Sequence, residues 1–175
     1  MPRDLAPRVR EAALLEGDFI LSSGKRSSFY VDKYLFSTEP DLLRDLANAL
    51  LEKLPEGVRR LAGVELGAVP LVVATALATG LPYVIVRKSA KEHGSSAGRE
   101  IEGNLERGER VALIEDVVTT GTQAVRAAGS LADAGAEVAT IVAVLDRRET
   151  SEAELGGFPF QALLRIEDLR VANKD

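Results

Sequence analysis

Apolar positions fall into two rhythms along the chain. Over residues 4–15 they return every three or four positions, with Leu5, Val9, Ala12, Ala13 and Leu15 roughly on one face, which predicts an amphipathic helix. A second helix is expected from Asp41 to Leu54, entered through Pro40 and stopped before Pro55. Between them, Phe19–Leu21 and Ser28–Val31 read as short strands around a Ser-Gly turn. Beyond residue 55 the rhythm changes. "RLAGVEL", "YVIVR", "VALIE" and "EVATIVAVLD" are nearly continuous apolar runs of strand length. "PLVVATALATG" and "TQAVRAAGSLADAG" read as helices closed by Gly80 and Gly135. Unbroken apolar strands alternating with helices predict an α/β fold, a mainly parallel central sheet flanked by helices on both faces. No repeat or linker divides the chain, so residues 1–175 are expected to form one domain. The last stretch, from Ser151, reads as a short helix, a strand "FQALLRI" and a tail.

One segment breaks the alternation. Lys88 to Arg110 is long, polar and dotted with glycine. Structureless stretches of more than about 12–15 residues are uncommon inside domains and often functional. Composition alone suits a mobile surface hairpin. Charge shifts the reading, because Arg87, Lys88, Lys91 and His93 crowd one end against Glu92 alone, as in an arm that closes on an anion.

Composition narrows the chemistry. A net charge of -5 does not suit a protein built to coat nucleic acid, so any anion site must be local. The absence of cysteine excludes disulfides, thiolate metal sites and a cysteine nucleophile, and fits a cytoplasmic setting. The first residues carry no signal-peptide apolar core, and no run approaches the ~18 apolar residues that span a membrane.

The stretch "VALIEDVVTTGTQA", Val111 to Ala124, carries the most specific signal. Ligands of open parallel sheets bind at the carboxyl ends of strands, where Glu115 and Asp116 are expected. The helix after them offers unpaired backbone N–H groups and the positive end of its dipole, a ready phosphate site. Gly121 permits close backbone approach, and Thr119, Thr120 and Thr122 add hydroxyl donors. The two carboxylates repel phosphate but accept from sugar hydroxyls, so phosphate beside a diol suggests a ribose 5-phosphate. The plainer alternative, a capping threonine beside solvated acids, accounts for one threonine of the three. Neither the Walker pattern nor G-x-G-x-x-G is present.

This stretch closely resembles the phosphoribosyl pyrophosphate (PRPP) motif of type I phosphoribosyltransferases. "VRKSAKEHG" with "IEG" resembles the flexible lid of the orotate-specific members, "FILSSGKRSSFYVD" their base-covering N-terminal segment, and "LDRRE" their base-side arginine. The resemblance covers about Asp18 to Arg148. It implies the type I fold, with a small N-terminal hood over about residues 1–36 and a lid over about 88–110. It implies transfer of phosphoribose from PRPP to orotate, with Mg²⁺ held mainly by PRPP and water and no direct protein ligand. PRPP contacts carry over to Arg87, Lys88, Lys91, His93, Glu115, Asp116, Val117, Val118, Thr119, Thr120, Gly121, Thr122 and Gln123. Orotate contacts carry over to Tyr30, Thr119 and Arg147, whose guanidinium fork matches a carboxylate. Lys91, His93 and Asp116 are the implied catalytic residues. A homodimer that shares the lid between subunits is implied as well, with no nucleic-acid or membrane partner. Two positions depart from common family patterns: Ser22 and Val69 stand where many members carry basic residues. A purine-specific transferase, a PRPP-sensing regulator and a dimerisation module are the rival readings. The lid cluster argues against the last two, and "FILSSG", the lid and Arg147 against the first.

Overall fold

The computed structural model describes residues 4–20, 24, 26–89 and 100–170. Ser22, Lys91 and His93, singled out above, lie outside the described residues.

The chain opens with α1 (Leu5–Ala13), whose N-terminus is capped by the Asp4 carboxylate. It then forms an antiparallel hairpin of β1 (Leu14–Ile20) and β2 (Arg26–Val31). The first helix is thus shorter than its apolar periodicity suggests. Leu14 and Leu15 leave it because they pair with Val31 and Tyr30 across the hairpin. A short helix that the sequence reading missed, α2 (Lys33–Ser37), follows at once, capped by the Asp32 side chain. Next comes α3 (Pro40–Glu52), with Pro at its first position.

Among the described residues the main sheet has seven strands: β3 (Arg60–Val64), β4 (Tyr83–Val86), β5 (Ile101–Glu102), β6 (Arg110–Val118), β7 (Glu137–Asp146), β8 (Glu154–Leu155) and β9 (Phe158–Arg165). Their order is β5-β4-β3-β6-β7-β9-β8. The five inner strands run parallel, and β5 and β8 close the edges as antiparallel partners of β4 and β9. The crossover helices are α4 (Val69–Thr79) and α5 (Thr122–Asp133), and α6 (Ile166–Arg170) follows β9.

The continuous apolar runs have a direct cause. Successive strand residues point to opposite faces, and both faces are covered. Leu61, Ala112, Ile114, Val142 and Val144 join one core with α1, α3 and α4, including Val9, Leu46, Leu50 and Leu71. Their neighbours Ala62, Val111, Leu113, Ile141 and Ala143 join a second core with Ala124, Ala127, Ala128 and Leu131 of α5.

Two further expectations need correction. The long polar segment is not structureless throughout, because Ile101–Glu102 returns as an edge strand on β4. Residues after Ser151 form the β8–β9 hairpin instead of a short helix. Gly156 and Gly157, with φ of 60° and 85°, make the tight two-residue turn that such a hairpin needs. The segment after that strand is helical, as α6.

Candidate functional site

The site grows from the end of β6. The strand does not stop at the two acids but continues to Val118, pairing Val117 with Leu145 and Val118 with Asp146 of β7. Glu115 and Asp116 therefore lie inside the sheet edge and are buried, at 6% and 3% exposure. Burial and the neighbouring Asp116 carboxylate push the Glu115 carboxyl up to about 8, so it holds its proton near neutrality. Asp116 has more support. Its Oδ1 accepts from Val117 N at 2.6 Å, and Lys33 Nζ lies 2.9 Å from its Oδ2.

After Val118 the chain turns through Thr119 and Thr120 into α5. Gly121 is the N-cap, at φ 83° and buried, and no side chain caps the helix through it. A side chain here would be strained by that φ and would also strike Leu155, whose Cδ1 lies 2.3 Å from where a Cβ would stand. Gly121 thus lets β8 sit against the turn, a reason the sequence reading did not contain. Thr120 and Thr122 are exposed, with their hydroxyls 3.1 Å apart. Glu115 and Val117 to Ala124 line one cavity of about 140 Å³. The contiguous run expected to cradle a phosphate does form a single concavity at a helix N-terminus.

Arg147 follows β7, next to this turn, and its backbone N donates to Val118 O at 2.8 Å. Its guanidinium stands 6.0 Å from the Phe29 ring and has no acidic partner among the described residues. Burial lowers its pKa, an effect opposed by the nearby Tyr30. Phe29, not named from sequence, is thus the ring under the arginine. Tyr30 is 41% exposed and contacts Phe19 at 5.7 Å between ring centres, so it is no core residue. Arg148, by contrast, is buried and spent: it forks onto Asp146, donates to the carbonyls of Glu152 and Glu154, and stacks 4.2 Å over Phe160.

Arg87 and Lys88 follow β4. Lys88 N donates to Glu65 Oε1 at 2.7 Å, and Arg87 Nη1 lies 3.7 Å from Glu102 Oε1. The returning strand is tied to α5: Glu100 O accepts from Arg87 N at 2.7 Å, its carboxylate meets Arg126, and Ser130 Oγ donates to it at 2.8 Å. Arg126 also donates to Lys88 O. The base of the polar segment is thereby fixed to the helix that starts after Gly121, which sequence periodicity did not reveal. Val69 opens α4 as an apolar, half-buried residue.

Lys33 was missed entirely. One signal was available: a lysine directly after Asp32, a good N-cap, sits at the positive end of a helix where a cation is disfavoured. Such a placement suggests an acidic partner from elsewhere. Among the described residues no three acids, histidines or cysteines gather as a metal cage, and no helix is long and apolar enough to cross a membrane.

The comparisons with known proteins agree with this geometry. Residues 38–158 match the family model of the phosphoribosyl transferase domain. The orotate phosphoribosyltransferase of Natronomonas pharaonis is 44% identical over 170 residues, covering 95% of this chain and 96% of its own length. The Mycobacterium tuberculosis H37Rv orotate phosphoribosyltransferase superimposes with a TM-score of 0.83 at 34% identity, covering 96% of this chain and 98% of its own. Its structure with PRPP aligns with a TM-score of 0.78 at 29% identity, over 96% and 98% of the two chains. Similarity this extensive, on a type I sheet with a glycine turn after β6, places the chain in the phosphoribosyltransferase family, among the orotate phosphoribosyltransferases.

Proposed function

We propose that this chain transfers the 5-phosphoribosyl group of PRPP to orotate, giving orotidine 5′-monophosphate and pyrophosphate in pyrimidine synthesis. One observation carries the reading. A helix N-terminus, a buried acid pair and an arginine with no acidic partner among the described residues meet at the ends of two adjacent parallel strands. They match the phosphate, the diol and the carboxylate of the two substrates.

In this reading the amides of Val117 to Gln123 wrap the 5′-phosphate, with Thr119, Thr120 and Thr122 adding hydroxyls. Glu115 and Asp116 accept from the ribose hydroxyls. Arg87, Lys88, Lys91 and His93 meet the pyrophosphate. Arg147 takes the orotate carboxylate, with Thr119 and Tyr30 beside the base. The bond from the anomeric carbon to the pyrophosphate oxygen breaks, and pyrophosphate leaves with the electron pair. The ring nitrogen of orotate then bonds that carbon, and its proton passes to solvent or to the departing pyrophosphate. Positive charge on the ribose is stabilised by Asp116, and negative charge on pyrophosphate by Lys91 and His93. Mg²⁺ tends to keep its waters and bind through substrate phosphates, so, held by PRPP with no direct protein ligand, it would supply positive charge to the pyrophosphate.

The reading extends to assembly. Residues 1–175 act as one domain, with residues 1–36 as the hood and 88–110 as the lid. A cytoplasmic homodimer shares the lid between subunits. Support for pairing comes from α4, which carries no charged residue and leaves Leu77 83% exposed, with Leu66 just before it 63% exposed.

The test offers protein, Mg²⁺ and PRPP to orotate, uracil, hypoxanthine, adenine and xanthine in parallel. Orotate consumption with equimolar pyrophosphate is expected. Turnover of another base would overturn the base pocket, and PRPP binding without any turnover would favour a regulator. Lys91→Ala is expected to slow turnover about 10²–10³-fold with much smaller effects on substrate binding.

A further inference from the structure

We infer that Lys33 is a positioning residue for the phosphoribosyl site, fixing the Asp116 carboxylate from the N-terminal segment and setting the charge that the ribose diol meets. This rests on the ribose role proposed above for Glu115 and Asp116.

Three elements converge on one ion pair. Lys33 opens α2, directly after the β1–β2 hairpin. Asp116 lies in β6, and its Oδ2 is 2.9 Å from Lys33 Nζ. The loop between β3 and α4 closes over both. A Cβ on Gly67 would stand 1.6 Å from Asp116 Oδ2 and 3.2 Å from Lys33 Nζ. The absent side chain at Gly67 is therefore the space in which the pair forms. Asp116 is 3% exposed, and an unpaired carboxylate so buried is costly. The lysine side chain remains 35% exposed and reaches the pair from the open side.

The pair also acts on Glu115. Its charged surroundings are Asp116 from the same strand, Lys33 from α2 and Lys88 after β4. Asp116 favours the protonated form, and the two lysines favour the ionised form that accepts from sugar hydroxyls. Facing Lys33 are Asp116, Glu115 and Tyr34, whose ring centre is 5.6 Å from Nζ. One lysine thus serves two acids: it directly neutralises Asp116 and moderates the proton affinity of Glu115. The hairpin that carries Phe29 and Tyr30 leads directly into this lysine, so the base side and the ribose side of the site share one support.

The experiment measures kcat and KM for PRPP from about pH 6 to about pH 10 in wild type, Lys33→Met, Lys33→Gln, Lys33→Arg and Asp116→Asn. In wild type, kcat/KM for PRPP is expected to rise with pH as Glu115 ionises. Loss of the lysine should move that rise upward by about one pH unit and raise KM for PRPP roughly tenfold. Lys33→Arg should restore most of the wild-type profile. A Lys33→Met or Lys33→Gln profile of wild-type shape, lowered uniformly or not at all, would overturn the positioning role. If Asp116→Asn still impairs PRPP use in that case, the ribose reading stands without Lys33. If Asp116→Asn leaves PRPP kinetics unchanged, both readings fall.

Discussion

β6 and β7 lie side by side, and each carries a buried carboxylate near its carboxyl end, yet the two ends serve different purposes. Asp146 on β7 is saturated. Its Oδ1 accepts from Arg148 N and Nε at 2.9 and 3.0 Å, its Oδ2 from Arg148 Nη2 at 3.0 Å, and Arg165 stands 3.6 Å away. On β6, Asp116 pairs with the partly exposed Lys33, and burial pushes the neighbouring Glu115 up to about 8. A buried charge with every lone pair engaged is a structural fixture. A buried acid whose proton affinity is raised and which lines a cavity is a candidate for chemistry. The same contrast separates the neighbours Arg147 and Arg148: one guanidinium has no acidic partner among the described residues, and the other is bound on every side.

The contrast breaks most visibly at Arg148. Arg148→Ala leaves buried Asp146 with only the more distant Arg165, 3.6 Å away, and frees the carbonyls of Glu152 and Glu154, which hold the β8 approach. A loss of about 3–5 kcal/mol in unfolding free energy is expected, read by urea denaturation. Unchanged stability would show that the closed network is not a fixture. Arg147→Ala should do the reverse. Stability should change little, while kcat/KM for orotate falls about 10–100-fold, the scale of one charge-assisted hydrogen bond pair. Equal effects of the two substitutions on stability and on orotate use would erase the distinction.

The smallest effect concerns a single proton. Glu115 is protonated below about pH 8 in the free protein, whereas a ribose diol favours the ionised acceptor. PRPP binding near pH 7 should therefore release about one proton, measurable by calorimetry in buffers of different ionisation heat. Glu115→Gln should abolish that release. The sign for stability follows from the same raised value. The Glu115 contribution is complete below the ordinary carboxylate range and is lost as pH rises through about 8. The melting temperature of Glu115→Gln should accordingly fall less than that of wild type between about pH 6 and about pH 9.

Much of the alternating α/β architecture was readable from the chain. "EVATIVAVLD" coincides with β7 because a strand buried on both faces is nearly all apolar, and Glu137 and Asp146 mark its two ends. The helix after Pro40 and the turn from β6 into α5 were equally visible, since proline, glycine and threonine act through local backbone geometry. Less visible were α2, whose five residues are too few for a periodicity, and the β8–β9 hairpin, whose edge position depends on Arg148 drawing its carbonyls inward. The Gly121 turn, the acids and the arginine could be singled out as candidates because each sits in one short stretch at a strand end.

What the residues determined alone, then, was the alternation of the inner strands with helices and the local make-up of residues 115–123, because those depend on neighbours in sequence. Tertiary structure decided which charges are left unmatched. Lys33, Gly67 and Asp116 come from three distant segments, and only their convergence makes an ion pair where a methyl group would not fit. Arg147 and Arg148 are adjacent in the chain, but the opposite directions of their side chains send one to Phe29 and the other to Asp146. Charge compensation inside a protein is a property of three-dimensional distance and burial, and linear spacing carries neither.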